Sequence, residues 1–482
     1  MKQPEVLLMN IPIEFPHQIF RAYDIRGKVE LLNPAIVYAI ATALVSQFQK
    51  MGQTQIVIGY DARLSSPTFA KIIEQVFLQH QFKVVALGCC ATPQMYFAAR
   101  QTQGNGIMVT ASHNSKTDNG IKWVIQSEPP SPEMIQDIGD LASQLVLNQT
   151  PLFETVSVEH NIKPEFFLSY QSALIQDIQL KRQFKVVVDG LNGSAGYCAQ
   201  QVLKKLGCDV IALRCNADGH FPDHAPDPSQ AKHLERLRQN VLHYQADFGI
   251  ALDGDGDRVV LLDEHAHIIS ADRLLALCAQ MCLEDHPKHE IVFDVKCSSI
   301  VRQVVEQLGG HAKMLRTGSS FLRRYLSQSK GFAVFGGEYA GHYVFNDGRG
   351  LGYDDGLYAA LRVMEYLSQF PHMTLSEILA VYPERFYTED TYISTQGTDP
   401  QSVLRDIEIS SHNLDAVLSN IDGVRLDFEY GFGIIRASNT GEFFTLRFDA
   451  DSPAHLDQIR QTFASMLSAS YPMIAQDILN VH

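Results

Sequence analysis

Three stretches of the chain repeat one order of apolar and polar positions. Ile56-Val57-Ile58-Gly59-Tyr60 is an apolar run ended by Asp61. Ser65-Ser66-Pro67 follows, then a helical periodicity over Phe69–Leu78 and a second apolar run, Lys83–Leu87. Lys185-Val186-Val187-Val188-Asp189 repeats this order, with Gly193-Ser194, a helix over Tyr197–Leu206 and a strand over Asp209–Leu213. Glu290-Ile291-Val292-Phe293-Asp294 does so again, with Ser298-Ser299, a helix over Ile300–Leu308 and a strand over Ala312–Leu315. Unbroken apolar runs bounded by turn residues predict strands covered on both faces, and their alternation with helices predicts α/β layers. Strand–helix–strand units recur in any large α/β protein, so the pattern alone leaves repeated domains and one large sheet both open. A spacing of more than 100 residues excludes a solenoid.

After Pro383 the pattern changes. Val424–Tyr430, Ile434–Ala437 and Glu442–Phe448 read as strands separated by short turns. Ser452-Pro453 marks a helix start, an N-cap followed by proline in the first turn. Leu456, Ile459, Phe463 and Leu467 give that helix one apolar stripe. A small α+β domain closing over the rest is predicted.

At 482 residues the chain exceeds one ordinary core, since domains run to about 100–200 residues. Val6–Met9 is far short of a signal-peptide core, and no later run approaches a membrane span, so a cytoplasmic location without a membrane is expected. The eight cysteines form no Cys-x-x-Cys. Cys89, Cys208, Cys278 and Cys297 sit inside apolar patterns, which predicts buried, reduced thiols. With 39 basic against 54 acidic residues the net charge is −15, which disfavours a nucleic-acid partner. An acidic protein binds an anion only where Arg, Lys, backbone N–H or metal is concentrated locally.

Four loops offer such concentrations. Asp253-Gly254-Asp255-Gly256-Asp257-Arg258 sets alternating carboxylates beside glycines, an all-oxygen arrangement suited to Mg²⁺. A calcium EF-hand fails here, because its sixth position is Arg258 rather than Gly and Val259–Leu262 continues as a strand. An aspartate-nucleophile phosphatase, with Asp253 ending the strand Ile250–Leu252, stays open. Thr110-Ala111-Ser112-His113-Asn114-Ser115 pairs a serine with a histidine, but lacks the Gly-x-Ser-x-Gly elbow of the hydrolases. Adjacent side chains on extended backbone also point opposite ways. Beside a metal, such a serine can carry a phosphoryl group whose charge of about −2 the cation offsets. Gly336-Gly337-Glu338-Tyr339-Ala340-Gly341-His342 lets backbone approach a ligand and offers a carboxylate to two sugar hydroxyls. Arg436-Ala437-Ser438-Asn439-Thr440-Gly441 can fork onto phosphate and cage it with hydroxyls and N–H groups.

Together these loops resemble those of the α-D-phosphohexomutase superfamily, most closely its bacterial phosphomannomutase/phosphoglucomutase branch. Phe20-Arg21-Ala22-Tyr23-Asp24-Ile25-Arg26-Gly27 is similar to the family's opening motif, Asp253–Arg258 to its metal loop, and Gly352-Tyr353-Asp354-Asp355-Gly356 to the segment after its sugar loop. The resemblance implies a heart-shaped monomer of four domains, three related α/β domains with mixed sheets and a C-terminal α+β domain like the TATA-binding-protein fold. Their spans would be 1–155, 156–262, 263–380 and 381–482. It implies that Ser112 is the phosphoserine and shares Mg²⁺ with Asp253, Asp255 and Asp257. Arg26, Lys122, Arg258 and His342 would serve the transfer, with Lys122 a candidate acid/base. Arg21, Tyr23, Lys296 and Ser319 would line the cleft, Glu338 and Ala340 would face the sugar, and Arg436, Ser438, Asn439 and Thr440 would hold the phosphate at rest. The implied reaction interconverts hexose 1-phosphate and hexose 6-phosphate through a hexose 1,6-bisphosphate.

Three residues depart from the family pattern. Ser115 stands where proline is usual, Ser319 where this branch has histidine, and Ala340 where serine is common. The last two fall at the sugar-reading end. A phosphoglucosamine mutase, a sugar-phosphate phosphatase and a non-catalytic sugar-phosphate binder therefore stand as alternatives.

Overall fold

The computed structural model describes residues 15–147, 163–438 and 441–481. The Val6–Met9 run, the boundary expected at residue 155, and Asn439 and Thr440 lie outside them. Among the described residues four sheets form. The predicted repeat is present in three. In the second, Asp209–Leu213 and Phe248–Leu252 flank Lys185–Asp189 in parallel, and Val259–Leu262 returns antiparallel on Phe248–Leu252. The third repeats the order with His311–Leu315, Glu290–Asp294, Ala333–Gly337 and the antiparallel Tyr343–Phe345. The first sheet does the same with Lys83–Cys89, Gln55–Tyr60, Gly106–Val109 and Asp118–Val124, and adds Ile25–Lys28 at its edge. Mixed sheets of this kind place one antiparallel hairpin beside two parallel crossovers.

That shared topology positions the chemistry. In each unit the hairpin between the third and fourth strand of the repeat carries one candidate loop. Thr110–Thr117 joins Gly106–Val109 to Asp118–Val124, Asp253–Arg258 joins Phe248–Leu252 to Val259–Leu262, and Glu338–His342 joins Ala333–Gly337 to Tyr343–Phe345. The fourth sheet is six-stranded and antiparallel throughout. Its hairpin from Gly431–Ala437 to Phe443–Ala450 carries the Arg436 loop.

Packing holds these hairpins in fixed relation. One continuous apolar cluster runs from Val57 and Met108 through Val186 and Phe248, then Phe293 and Phe335, to Phe432 and Ile434. Apolar burial of this extent is the dominant favourable term in the fold. Inside the first unit, Phe77 packs edge-on against Phe48 and Phe82. The helix Ser66–Gln79 begins three residues before its periodicity does, because Pro67 has the backbone angle of a first helical turn. In the fourth unit Ile459, Phe463 and Leu467 bury the stripe of Pro453–Leu467.

Two buried arginines fasten the fourth unit to the third. Arg425 donates to the carbonyls of Val295 and Cys297 at 2.6 and 2.7 Å, and its guanidinium lies 3.7 Å from the Phe432 ring. Arg447 pairs with Asp272 at 2.7 Å and stacks on Tyr339 at 3.6 Å. The cysteines are all free, as expected. Seven are buried, but Cys89, the last residue of the edge strand Lys83–Cys89, is exposed rather than buried. Among the described residues no helix is long and apolar enough to cross a membrane.

The first two candidate loops touch through glycine. A Cβ at Gly254 would stand 2.4 Å from the Ser112 carbonyl oxygen and 2.8 Å from Pro226, and one at Gly193 would stand 2.7 Å from the Gly254 carbonyl oxygen. Neither carbonyl can retreat without breaking its loop, so Gly254→Ala should destabilise the protein by about 1–3 kcal/mol. Thermal unfolding would read this as a lowered midpoint. An unchanged midpoint would mean that the loops are not in contact.

Candidate active site

Ser112 lies where the hairpins of the first and second units meet and is 1% exposed. Its φ of +51° is unusual for a residue other than glycine. The left-handed turn folds the His113 ring back, so that Nδ1 lies 3.2 Å from Ser112 Oγ. The extended backbone assumed from sequence would have kept the two apart. Burial, followed by the charges of Arg258 and Arg26, pushes the His113 pKa well below its usual value, so the ring is neutral. Ser112 Oγ itself donates to Asp253 Oδ2 at 2.6 Å. A serine of the first hairpin thus touches an aspartate of the second.

The aspartate loop is buried from Asp253 to Asp257. Asp253, Asp255 and Asp257 are each at most 1% exposed, and one oxygen from each lies within 4.8 Å of the others. Asp253 Oδ1 accepts the amides of Gly256 and Arg258. Burial, then Asp255 and Asp257, pushes the Asp253 pKa well above the usual carboxylate range. Lys122 on the strand Asp118–Val124 answers part of the charge. Its Nζ donates to Asp255 Oδ2 at 2.9 Å and to Asp257 Oδ2 at 2.6 Å. Burial opposes the Lys122 charge, but the two carboxylates outweigh it and hold its pKa well above normal. Burial likewise pushes Asp257 up, and the Lys122 charge leads the opposing effects that bring it below its usual value.

The donor set fits a hard divalent cation. Asp255 Oδ1 and Asp257 Oδ1 are buried without a hydrogen-bond partner. Orphaned anionic oxygens are costly unless a cation completes them. Three carboxylates on one loop form an all-oxygen site of the kind that magnesium prefers.

Around this floor stand the cations. Arg26 pairs with Asp24 at 2.6 Å and donates to Asn114 at 3.2 Å. Arg258 donates from Nε to His342 Nε2 at 2.9 Å. A guanidinium can only donate, so Nε2 must accept and the His342 proton sits on Nδ1, 2.9 Å from Asp354 Oδ2. Asp354 was legible only as part of a motif, and its partnership with His342 was not.

Two neighbouring cavities share Tyr23, Arg26, Arg258, Thr317 and Ala340 as lining. The inner one is lined by Tyr23, Arg26, Lys122, Arg258, Ser319, Glu338, Ala340 and His342, with Thr317, Gly318 and Arg323 among others. Glu338 Oε1 accepts the Gly318 amide at 2.6 Å, and burial pushes its pKa up. The outer cavity, of about 460 Å³, is lined by Arg21, Tyr23, Arg26, Arg258, Lys296, Arg316, Ala340, Arg436 and Ser438. That size suits a small-molecule ligand. Six Arg and Lys side chains line it against the three carboxylates of Asp227, Glu389 and Asp390. Inside a chain of net charge −15 this is a local positive concentration. Lys296 pairs with Asp390 at 2.6 Å, and Arg436 with Asp422 at 2.7 Å. Arg316, with its guanidinium 4.4 Å from the Phe321 ring, carries no motif signal and was missed. So were Thr92, which donates to Asp255 at 2.5 Å, and the buried pair Asp61–Arg63. Every predicted site residue that is described either lines these cavities or forms their floor; Asn439 and Thr440 fall outside the described residues.

Comparison with known proteins agrees with this architecture. The models for phosphoglucomutase/phosphomannomutase alpha/beta/alpha domains I, II and III match residues 17–146, 166–266 and 270–386. A phosphomannomutase/phosphoglucomutase of Pseudomonas putida is 38% identical over 459 residues, covering 95% of this chain and 97% of its own. A phosphoglucomutase of Neisseria meningitidis is 34% identical over 461 residues, covering 95% and 98%. The crystal structure of a phosphoglucomutase/phosphomannomutase family protein from Burkholderia thailandensis superposes with a TM-score of 0.86 at 31% identity, covering 95% of this chain and 99% of that one. With three family domains in order, and relatives that match almost from end to end, the chain belongs to the phosphoglucomutase/phosphomannomutase family.

Proposed function

We propose that this protein interconverts hexose 1-phosphate and hexose 6-phosphate, with Ser112 as the phosphoryl carrier and hexose 1,6-bisphosphate as the intermediate. The 2.6 Å contact of Ser112 Oγ with Asp253 carries this reading. A phosphoryl group on Oγ would bring a fourth anionic group against three buried carboxylates, which is tolerable only if a cation lies among them. We assign that cation as Mg²⁺, held by Asp253, Asp255, Asp257 and the Ser112 phosphate. When bound, it offsets the charge of the phosphoryl group and of the carboxylates.

The chain's own residues then divide the work among four units bounded near residues 155, 262 and 380. In the first half-reaction the P–O bond to Ser112 breaks as a P–O bond to the free sugar hydroxyl forms, and the hydroxyl proton ends on Ser112 Oγ. Lys122, kept protonated by Asp255 and Asp257, would pass a proton to Ser112 Oγ and regain one from the attacking sugar hydroxyl. Arg26 and Arg258 face the transferred group from the wall of the inner cavity. Glu338 reads the sugar hydroxyls, and Arg436 with Ser438, Asn439 and Thr440 grips the phosphate that is not reacting. After the bisphosphate turns end for end, the other phosphate returns to Ser112. Little covalent work falls to the protein, so positioning and charge stabilisation supply most of the rate. Ser319 and Ala340 line the inner cavity with two small side chains, so glucose and mannose phosphates should both be accepted there.

Intact mass before and after glucose 1,6-bisphosphate tests the proposal. One phosphate should appear and map to Ser112, Ser112→Ala should abolish it, and EDTA should suppress turnover. Label on Asp253 would instead establish the phosphatase alternative.

The role of Arg436 is checked by steady-state kinetics on glucose 1-phosphate and mannose 1-phosphate. Losing one charged hydrogen-bond donor costs about 1.5–3 kcal/mol, so Arg436→Ala should raise KM about ten- to hundredfold and release more free bisphosphate. An unchanged KM without bisphosphate release would remove Arg436 from the site.

A further inference from the structure

We propose that Arg63 is a positioning residue for phosphoryl transfer, holding the Ser112 loop in the one conformation that aims Oγ at the metal loop. The inference rests on the function proposed above. Arg63 lies in the turn between the strand Gln55–Tyr60 and the helix Ser66–Gln79, and is 1% exposed. Its guanidinium is wholly spent. Nε donates to Asp61 Oδ2 at 3.0 Å, Nη2 to the carbonyls of Ser112 and Asn114 at 2.7 Å each, and Nη1 to those of Ser115 and Asp118 at 2.5 and 2.9 Å. One planar fork therefore gathers three carbonyl oxygens of the loop and that of Asp118, the first residue of the strand that follows.

Asp61 fixes the fork from behind. It accepts Ser66 Oγ at 2.6 Å, Thr110 Oγ1 at 2.8 Å and the Arg63 amide at 3.0 Å. Thr110 Oγ1 in turn accepts the Ser112 amide at 2.8 Å. Ser112 is thus gripped at its N–H through Asp61–Thr110 and at its C=O through Arg63. These two grips impose a φ of +51° that serine adopts only under constraint. That same φ directs Oγ to Asp253. The backbone of Arg63 also pairs in parallel with Gly219, and the Phe221 ring lies 5.6 Å from its guanidinium, so the second unit closes over it. Arg63 lines neither cavity, so it acts through Ser112 rather than on substrate.

A lysine at this position would keep the charge but, as a point donor, could not span four carbonyls. Arg63→Lys should therefore lower kcat about 100-fold, because misplacement of a reacting group by about 1 Å costs that much. KM should stay within about threefold, since the sugar and resting phosphate are held by other hairpins. Phosphate uptake by Ser112 from glucose 1,6-bisphosphate should slow in parallel with kcat. Hydrogen exchange should quicken in peptides covering 110–118 and not in the strand Gln55–Tyr60. A kcat within about threefold of wild type, or a fall in kcat matched by a rise in KM, would overturn the inference.

Should Arg63→Lys fail to fold, the wild-type protein decides the matter. Its hydrogen-bonded Thr110, Ser112 and Asn114 amides should exchange as slowly as those of the strand Gly106–Val109, and rapid exchange there would show that the loop is not held. A wild-type protein without mutase turnover would remove the proposed function. Turnover that Arg63→Lys leaves intact would remove this inference alone.

Discussion

Three carboxylates buried on one loop cannot all stay charged without a counter-charge, and the architecture is organised around supplying it. Asp253, Asp255 and Asp257 face Lys122 from the first unit and, through Asp253, the hydroxyl of Ser112. Lys122 compensates part of the charge and leaves two carboxylate oxygens unpaired. That deficit is the physical reason for a cation. Serine and aspartates meet there from different sheets, Ser112 from the hairpin of the first unit and Asp253 from that of the second. A buried ion set of this kind contributes little net stability, so its presence points to function rather than to folding.

The repeat gives the deficit its place. Because three units share one strand order, each presents the equivalent hairpin at the same position, and their juxtaposition brings serine, aspartates and Glu338 to one cleft. The fourth sheet adds Arg436 from a hairpin of different parentage and is fastened by Arg425 and Arg447 to the loop that carries Lys296. The Arg436 hairpin and the Lys296 loop are therefore mechanically joined.

Much of this was legible in the sequence, for identifiable reasons. Strands such as Glu290–Asp294 are buried on both faces and so read as unbroken apolar runs, and their bounds matched closely. The Asp253–Asp257 loop was legible because its ligands are consecutive on one loop, so spacing alone brings them together. What escaped was tertiary. Arg63 spends its guanidinium on carbonyls 49 to 55 residues away, which leaves no local pattern. The pairing of Asp354 with His342 depends on the chain folding back so that Asp354 bridges Val344, and that of Asp422 with Arg436 on the register that sets Val424 beside Ile435. The Ser112–His113 proximity was misjudged because a left-handed serine cannot be anticipated from its neighbours. Cys89 was misjudged because the apolar run gave no sign that it ends at a sheet edge.

The central claim is that one cation is shared by the Ser112 phosphate and the aspartate loop. Substituting Mn²⁺ in the phosphorylated protein and recording the electron–nuclear double resonance of ³¹P tests it directly. The account predicts a strong ³¹P hyperfine coupling to bound Mn²⁺ that disappears when the serine is dephosphorylated, while Mn²⁺ stays bound to the three aspartates. Bound Mn²⁺ without ³¹P coupling in the phosphoprotein would contradict it.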